Sequence, residues 1–151
     1  MNVSLREITA DTVIDVIRLA VRPDQEGFVA SNAISLAQAL FAPEAWYRAI
    51  YADDTPAGFV MLSDDSLLPE PPAQPEIGLW RFMVDARFQG RGVGAAALRD
   101  VIDHARDKGR FKILSVSYVP GPGCPEQFYL RAGFLHTGKM DEDEVVLELP
   151  L

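Results

Sequence analysis

Gln89-Gly90-Arg91-Gly92-Val93-Gly94 packs three of the chain's eleven glycines into five residues, and its flanks decide how it folds. Before it, residues 77–85 (Ile-Gly-Leu-Trp-Arg-Phe-Met-Val-Asp) read as a strong strand. After it, Val93, Ala96, Ala97, Val101 and Ala105 recur at helical spacing, which predicts a helix over 92–107 stopped by Gly109. In a strand–glycine loop–helix unit, backbone N–H groups can approach a ligand closely because no Cβ intervenes. The helix start adds unpaired donors and the positive end of its dipole, a combination suited to phosphate or pyrophosphate. The plainer alternative is a tight turn in which glycine serves packing alone.

Outward from this unit, strands and helices alternate. Residues 3–8 read as a first strand. Thr9 or Asp11 can cap a helix carrying Val13, Ile14, Ile17 and Ala20, which ends at residues 23–27. A second helix is expected over 32–40, and a hairpin of 47–52 with 58–63 around Asp53-Asp54-Thr55-Pro56-Ala57. Leu68-Pro69-Glu70-Pro71-Pro72-Ala73-Gln74-Pro75 can be neither helix nor inner strand, so it is a stiff loop within one domain. Beyond the central helix come a strand at 111–119, a short helix at 125–132 and a hairpin of 134–137 with 144–149. This order gives an α/β (α+β) sheet flanked by helices, with residues 1–151 forming a single domain.

Composition narrows the function. Hydrophobic residues make up 48% of the chain, enough for a sizeable core. Fourteen Lys+Arg against 22 Asp+Glu leave a net charge of −8, which disfavours nucleic acid and either favours neutral or cationic small partners or serves solubility alone. The single cysteine, Cys124, excludes an internal disulfide, and with only His104 and His136 beside it no Cys/His metal site is expected. No apolar run of membrane-spanning length and no leader-like N-terminus stand in the sequence, so a cytoplasmic protein is expected.

Three phosphate ligands fit a glycine loop. No Gly-Lys-Ser/Thr follows, so the Walker pattern fails. A dinucleotide fingerprint fits partly through Gly90, Gly92 and Ala95, but the next strand, Phe111-Lys112-Ile113-Leu114-Ser115-Val116-Ser117, lacks the carboxylate that would hold the ribose. The third pattern, Gln/Arg-x-x-Gly-x-Gly/Ala, matches Gln89, Gly92 and Gly94. It resembles the coenzyme A loop of the GNAT N-acetyltransferases. The preceding strand Leu79-Trp80-Arg81-Phe82-Met83-Val84 and the downstream Phe128-Tyr129-Leu130-Arg131-Ala132-Gly133-Phe134 fit that superfamily in order and spacing. Glu26-Gly27-Phe28-Val29-Ala30-Ser31-Asn32, Pro43-Glu44-Ala45-Trp46 and Pro125-Glu126-Gln127-Phe128-Tyr129 resemble its spermine/spermidine (diamine) branch. Where the superfamily often has an Asn and a small residue before the Tyr, this chain has Pro122 and Pro125.

The resemblance implies a mixed, mostly antiparallel sheet of about six to seven strands with about four helices. It also implies acetyl-CoA as cosubstrate, a small primary amine such as spermidine or spermine as acceptor, no metal, and a fold that admits a homodimer. By the same resemblance, backbone groups of Phe82, Met83 and Val84 hold the pantetheine arm. The amides of Gln89, Gly90, Arg91, Gly92, Val93, Gly94 and Ala95 take the pyrophosphate. Tyr129 is expected as the general acid, because a phenol with a pKa of about 10 keeps its proton near neutral pH, the plainer alternative being a core aromatic on a short amphipathic helix. Glu26 and Glu44 fall in the region that lines the acceptor side. Glu26, Glu44, Asp85 and a water chain all remain open as the base. His104 is expected to be exposed on a charged helix face. A non-catalytic module that binds acyl-CoA is the alternative.

Overall fold

The computed structural model describes residues 1–151 as one seven-stranded sheet with helices on both faces. The strands are β1 (Val3–Arg6), β2 (Ala45–Ala52), β3 (Thr55–Asp64), β4 (Ile77–Val84), β5 (Ile113–Tyr118), β6 (Leu135–Asp141) and β7 (Glu144–Pro150), in the order β1-β2-β3-β4-β5-β7-β6. Every neighbouring pair is antiparallel except β4 and β5. The helices are α1 (Val13–Ile17), α2 (Asn32–Ala39), α3 (Val93–Lys108) and α4 (Glu126–Arg131). The parallel β4–β5 pair needs a crossover, and α3 supplies it.

Alternation along the strands sends side chains to two cores. On one face, Val93, Ala97, Leu98, Val101 and Ala105 of α3 pack with Tyr129 of α4 against Ile50, Leu62, Leu114 and Leu147. These are the helical positions the spacing picked out, except that Ala96 is only half-buried. On the other face, Val16 of α1 joins Ala49, Phe59, Met61 and Met83, with Leu36 and Ala39 of α2 against them. Asn32, 2% exposed, ties the two short helices together by donating from Nδ2 to the Val16 carbonyl at 2.9 Å.

Several element boundaries differ from expectation. Thr12, not Thr9 or Asp11, flanks α1, and its Oγ1 accepts from the Thr9 N–H at 2.9 Å. That helix stops before Ala20, whose N–H is drawn to Asp85 Oδ2 at 3.0 Å. The β2–β3 turn contracts to Asp53-Asp54, with Asp53 at φ 52°, and Pro56 sits beside a bulge, because Ile50 pairs with Gly58 and Tyr51 with Pro56, leaving Ala57 as the extra residue. Likewise β6 runs on to Asp141 through an irregularity between His136 and Met140, leaving only Glu142 and Asp143 in the last turn.

At the far end of the α3 core, Asp64 closes β3. It is fully buried and receives Lys108 Nζ at 2.6 Å, the Ser66 hydroxyl at 2.6 Å and the Ser66 N–H at 2.8 Å. Burial alone would raise its carboxyl. These donors and the Lys108 charge more than offset that and hold it below the usual range. Beside this pair, His104 stacks on Trp46 with ring centroids 4.2 Å apart. His104 is thus half-buried rather than exposed, and its Nε2 is sealed without a partner. Burial, with Lys108 nearby, pushes its pKa down.

Candidate active site

The site begins with a strand that leaves its neighbour. Register places Met61 opposite Arg81 and Leu62 opposite Leu79, so Trp80 is the extra residue of a β4 bulge. A bulge bends its strand. On the other side, β4 pairs with β5 only at Ile77–Leu114, Gly78–Ser115 and Leu79–Val116. From Trp80 onward the two strands splay, and the β5-facing edge of residues 80–84 is left without a strand partner.

The splay opens a cleft of about 920 Å³, within the range of small-molecule and cofactor sites. One wall is the open half of β4, including Phe82, Met83 and Val84. Its floor is the start of α3, with Gln89, Gly90, Gly92, Gly94 and Ala95 among the lining residues. Gly90 and Gly92 have φ of 75° and 81°, the left-handed region, and Gly92 is the residue flanking the first turn of α3. A Cβ at Gly92 would meet no atom within 4 Å, so packing does not require glycine there. The left-handed backbone does. Gly94 differs, because a Cβ there would press on the Phe128 ring at 3.3 Å. No acidic residue stands in the first turn of α3 to neutralise the positive end of its dipole.

Three residues of the loop take structural parts. Gln89 turns its Nε2 inward, donating to the Val84 carbonyl and to Gln25 Oε1, each at 2.9 Å. It therefore pins the loop to the end of β4, and the Val84 carbonyl is already engaged. Val93 is 1% exposed and its side chain belongs to the core. Arg91 is exposed and lies over the Phe88 ring at 5.7 Å rather than along the cleft wall.

Tyr129 lines the cleft from α4 with 6% of its surface exposed. Its ring meets Phe128 and Phe134 edge-on at 5.3 and 5.6 Å. Burial pushes its phenol well above the ordinary value. A second phenol, Tyr118 at the end of β5, also lines the cleft, raised by burial and by the carboxylate of Glu126.

Among the carboxylates singled out from sequence, Glu26 reaches the cleft and Glu44 does not. Glu44 sits just before β2, where its carbonyl accepts the Asp64 N–H at 2.8 Å. Asp85 is 5% exposed and fully engaged with the Ala20 N–H, the Arg87 N–H and Arg87 Nε. It lies outside the cleft, as does Cys124. The acidic residues that do line the cleft beside Glu26 are Asp141 and Glu144, and sequence reasoning passed over Glu144. Only the register of β7 on β5 brings it in. Arg81 also lines the cleft and donates to Gln38 Oε1 of α2 at 3.0 Å.

Known proteins share the sequence pattern and the fold of this chain. The model of the acetyltransferase (GNAT) family matches residues 13–134. A spermine/spermidine N(1)-acetyltransferase of Bacillus subtilis is 25% identical over 144 residues, covering 93% of each chain. Among solved structures, an acetyltransferase from Thermus thermophilus superposes with a TM-score of 0.75 at 18% identity, covering 100% of this chain and 98% of its own. The PaiA N-acetyltransferase of Thermoplasma acidophilum, solved in complex with coenzyme A, gives a TM-score of 0.70 at 15% identity with both chains fully covered.

Proposed function

This chain belongs to the GNAT acetyltransferase family, and from that premise we propose that it moves the acetyl group of acetyl-CoA to a primary amine of a small polycation such as spermidine or spermine. The observation that carries the reading is the unpaired half of β4 running straight into a glycine-led helix start, with a buried phenol at the same cleft. The cleft accommodates a long, thin cosubstrate with an anionic end. Amides from Gly90 to Ala95 receive the diphosphate, while the open backbone of Phe82 and Met83 receives the amide-bearing arm as an added strand would. An N–H of this edge also polarises the thioester carbonyl, an interaction worth roughly 2.7–4 kcal/mol in comparable sites.

Transfer then needs two proton movements. The acceptor nitrogen must be neutral to attack, and the departing sulfur must gain a proton. Tyr129 supplies that proton, and its burial keeps it protonated across the working pH range. Holding amine and thioester in line contributes the remainder. The polyamine assignment is supported by the curated relative and by the carboxylates Glu26, Asp141 and Glu144 at the cleft.

The test is thiol release from acetyl-CoA with a panel of spermidine, spermine, an aminoglycoside and a peptide with a free N-terminus. Turnover is expected with the polyamines, at kcat/KM at least tenfold above the others. Turnover confined to another class removes the polyamine. Coenzyme A binding without turnover on any amine makes the chain a binding module instead.

A further inference from the structure

Resting on the acetyltransferase reading above, we infer that Glu144 is the group that receives the acceptor's ammonium and takes its proton. Placement and elimination both lead to it. Along β5, Leu114, Val116 and Tyr118 face the α3–α4 core, so Ser117 faces the opposite side of the sheet. On β7, Val145, Leu147 and Leu149 share that same core, which turns Glu144 to the side of Ser117. Ser117 Oγ lies 3.5 Å from Glu144 Oε1. Arg81 is on this side too, bonded to Gln38 of α2, and it feels the charge of Glu144. Tyr129 belongs to the α3–α4 core. Acid and base thus stand on opposite sides of the splayed strands, with the thioester between them. The amine enters from one side and the sulfur leaves towards the other.

No other residue lining the cleft is better placed for the task. The open strand, Ile-Gly-Leu-Trp-Arg-Phe-Met-Val, carries neither carboxylate nor imidazole. Neither histidine lines the cleft, and Asp85 and Glu44 lie outside it. Of the three acidic residues at its walls, Glu26 and Asp141 are exposed, whereas Glu144 is half-buried. A partly desolvated carboxylate attracts an ammonium more strongly than one in open water.

The proton count closes. The acceptor ammonium gives one proton to the Glu144 carboxylate, which later releases it to water. The free amine forms the C–N bond and the C–S bond breaks. The sulfur takes the Tyr129 proton, and the phenol is restored by the second proton that the nitrogen loses.

Steady-state kinetics on Glu144→Gln, with whichever panel amine the native chain turns over fastest, tests this role. At neutral pH kcat/KM for the amine is expected to fall at least 100-fold, with acetyl-CoA KM unchanged. The variant's rate should then climb with pH towards the native rate, since at high pH the amine loses its proton without help. Asp143→Asn removes the same charge one residue away on an exposed turn and is expected to stay within threefold of native. An E144Q variant that binds coenzyme A normally and keeps more than a third of native kcat/KM, or the native pH profile, overturns the role while leaving the acetyltransferase reading intact. A native chain that binds coenzyme A yet acetylates no amine overturns both.

Discussion

Tyr129→Phe is expected to lower kcat by about 10²–10⁴-fold, the range for loss of a positioned general acid. The change removes one oxygen and leaves the ring in its edge-on contacts with Phe128 and Phe134, so the fold and coenzyme A affinity should hold. Because burial alone raises the phenol, with no partner tuning it, the native alkaline limb should not reflect Tyr129 at any ordinary assay pH. Tyr118→Phe is the comparison. Its hydroxyl lies beside Glu126, and its loss should cost less than tenfold. Equal losses in both variants would move the proton donor away from α4.

The second large effect concerns stability. Lys108→Met strips the partner from Asp64 and leaves a carboxylate with no exposed surface and no cation. Breaking a buried pair from one side typically costs about 3–5 kcal/mol. At about 2–4 °C per kcal/mol for a chain of this size, the melting temperature should drop on the order of 10 °C. The double variant Asp64→Asn/Lys108→Met keeps an acceptor for Ser66 and removes the stranded charge, so it should recover most of the loss.

The pH dependence has a definite sign. In the native protein the Asp64 carboxyl is depressed, so its contribution is present above the unfolded pKa of about 3.9 and lost as pH falls through the folded value. In the single variant burial dominates and raises it, so the variant gains stability relative to native as the medium is acidified. The gap between the two melting temperatures should therefore narrow from neutral pH towards about pH 4. A gap that is constant with pH would mean that Asp64 is not the affected group.

Much of the architecture is readable from local pattern. The α3 periodicity, Gly109 at its end and the proline run at 68–75 are short-range features, and each appears where local chemistry places it. The glycine loop is equally local as a turn between strand and helix, and Gly90 and Gly92 take the left-handed backbone that glycine permits. What escaped was set by pairing between distant segments. The bulge at Trp80 is a register event between β3 and β4, and nothing in Leu79-Trp80-Arg81 announces it. Glu144 enters the cleft only because β7 inserts between β5 and β6. Asp64 and Lys108 lie 44 residues apart and read singly as surface charges. His104, in a run of charged neighbours, is half-buried only because Trp46 of β2 stacks on it.

On the proposed reading, the main-chain donors at the start of α3 hold the diphosphate of coenzyme A. Titrating ¹⁵N-labelled native chain with coenzyme A, and following the glycine amide signals, tests it most directly. Gly90, Gly92 and Gly94 should move together and saturate with one affinity, and Gly92→Val should weaken that affinity at least tenfold because a β-branched side chain opposes the left-handed backbone. Binding that saturates while these three signals stay in place would mean that the diphosphate is held elsewhere.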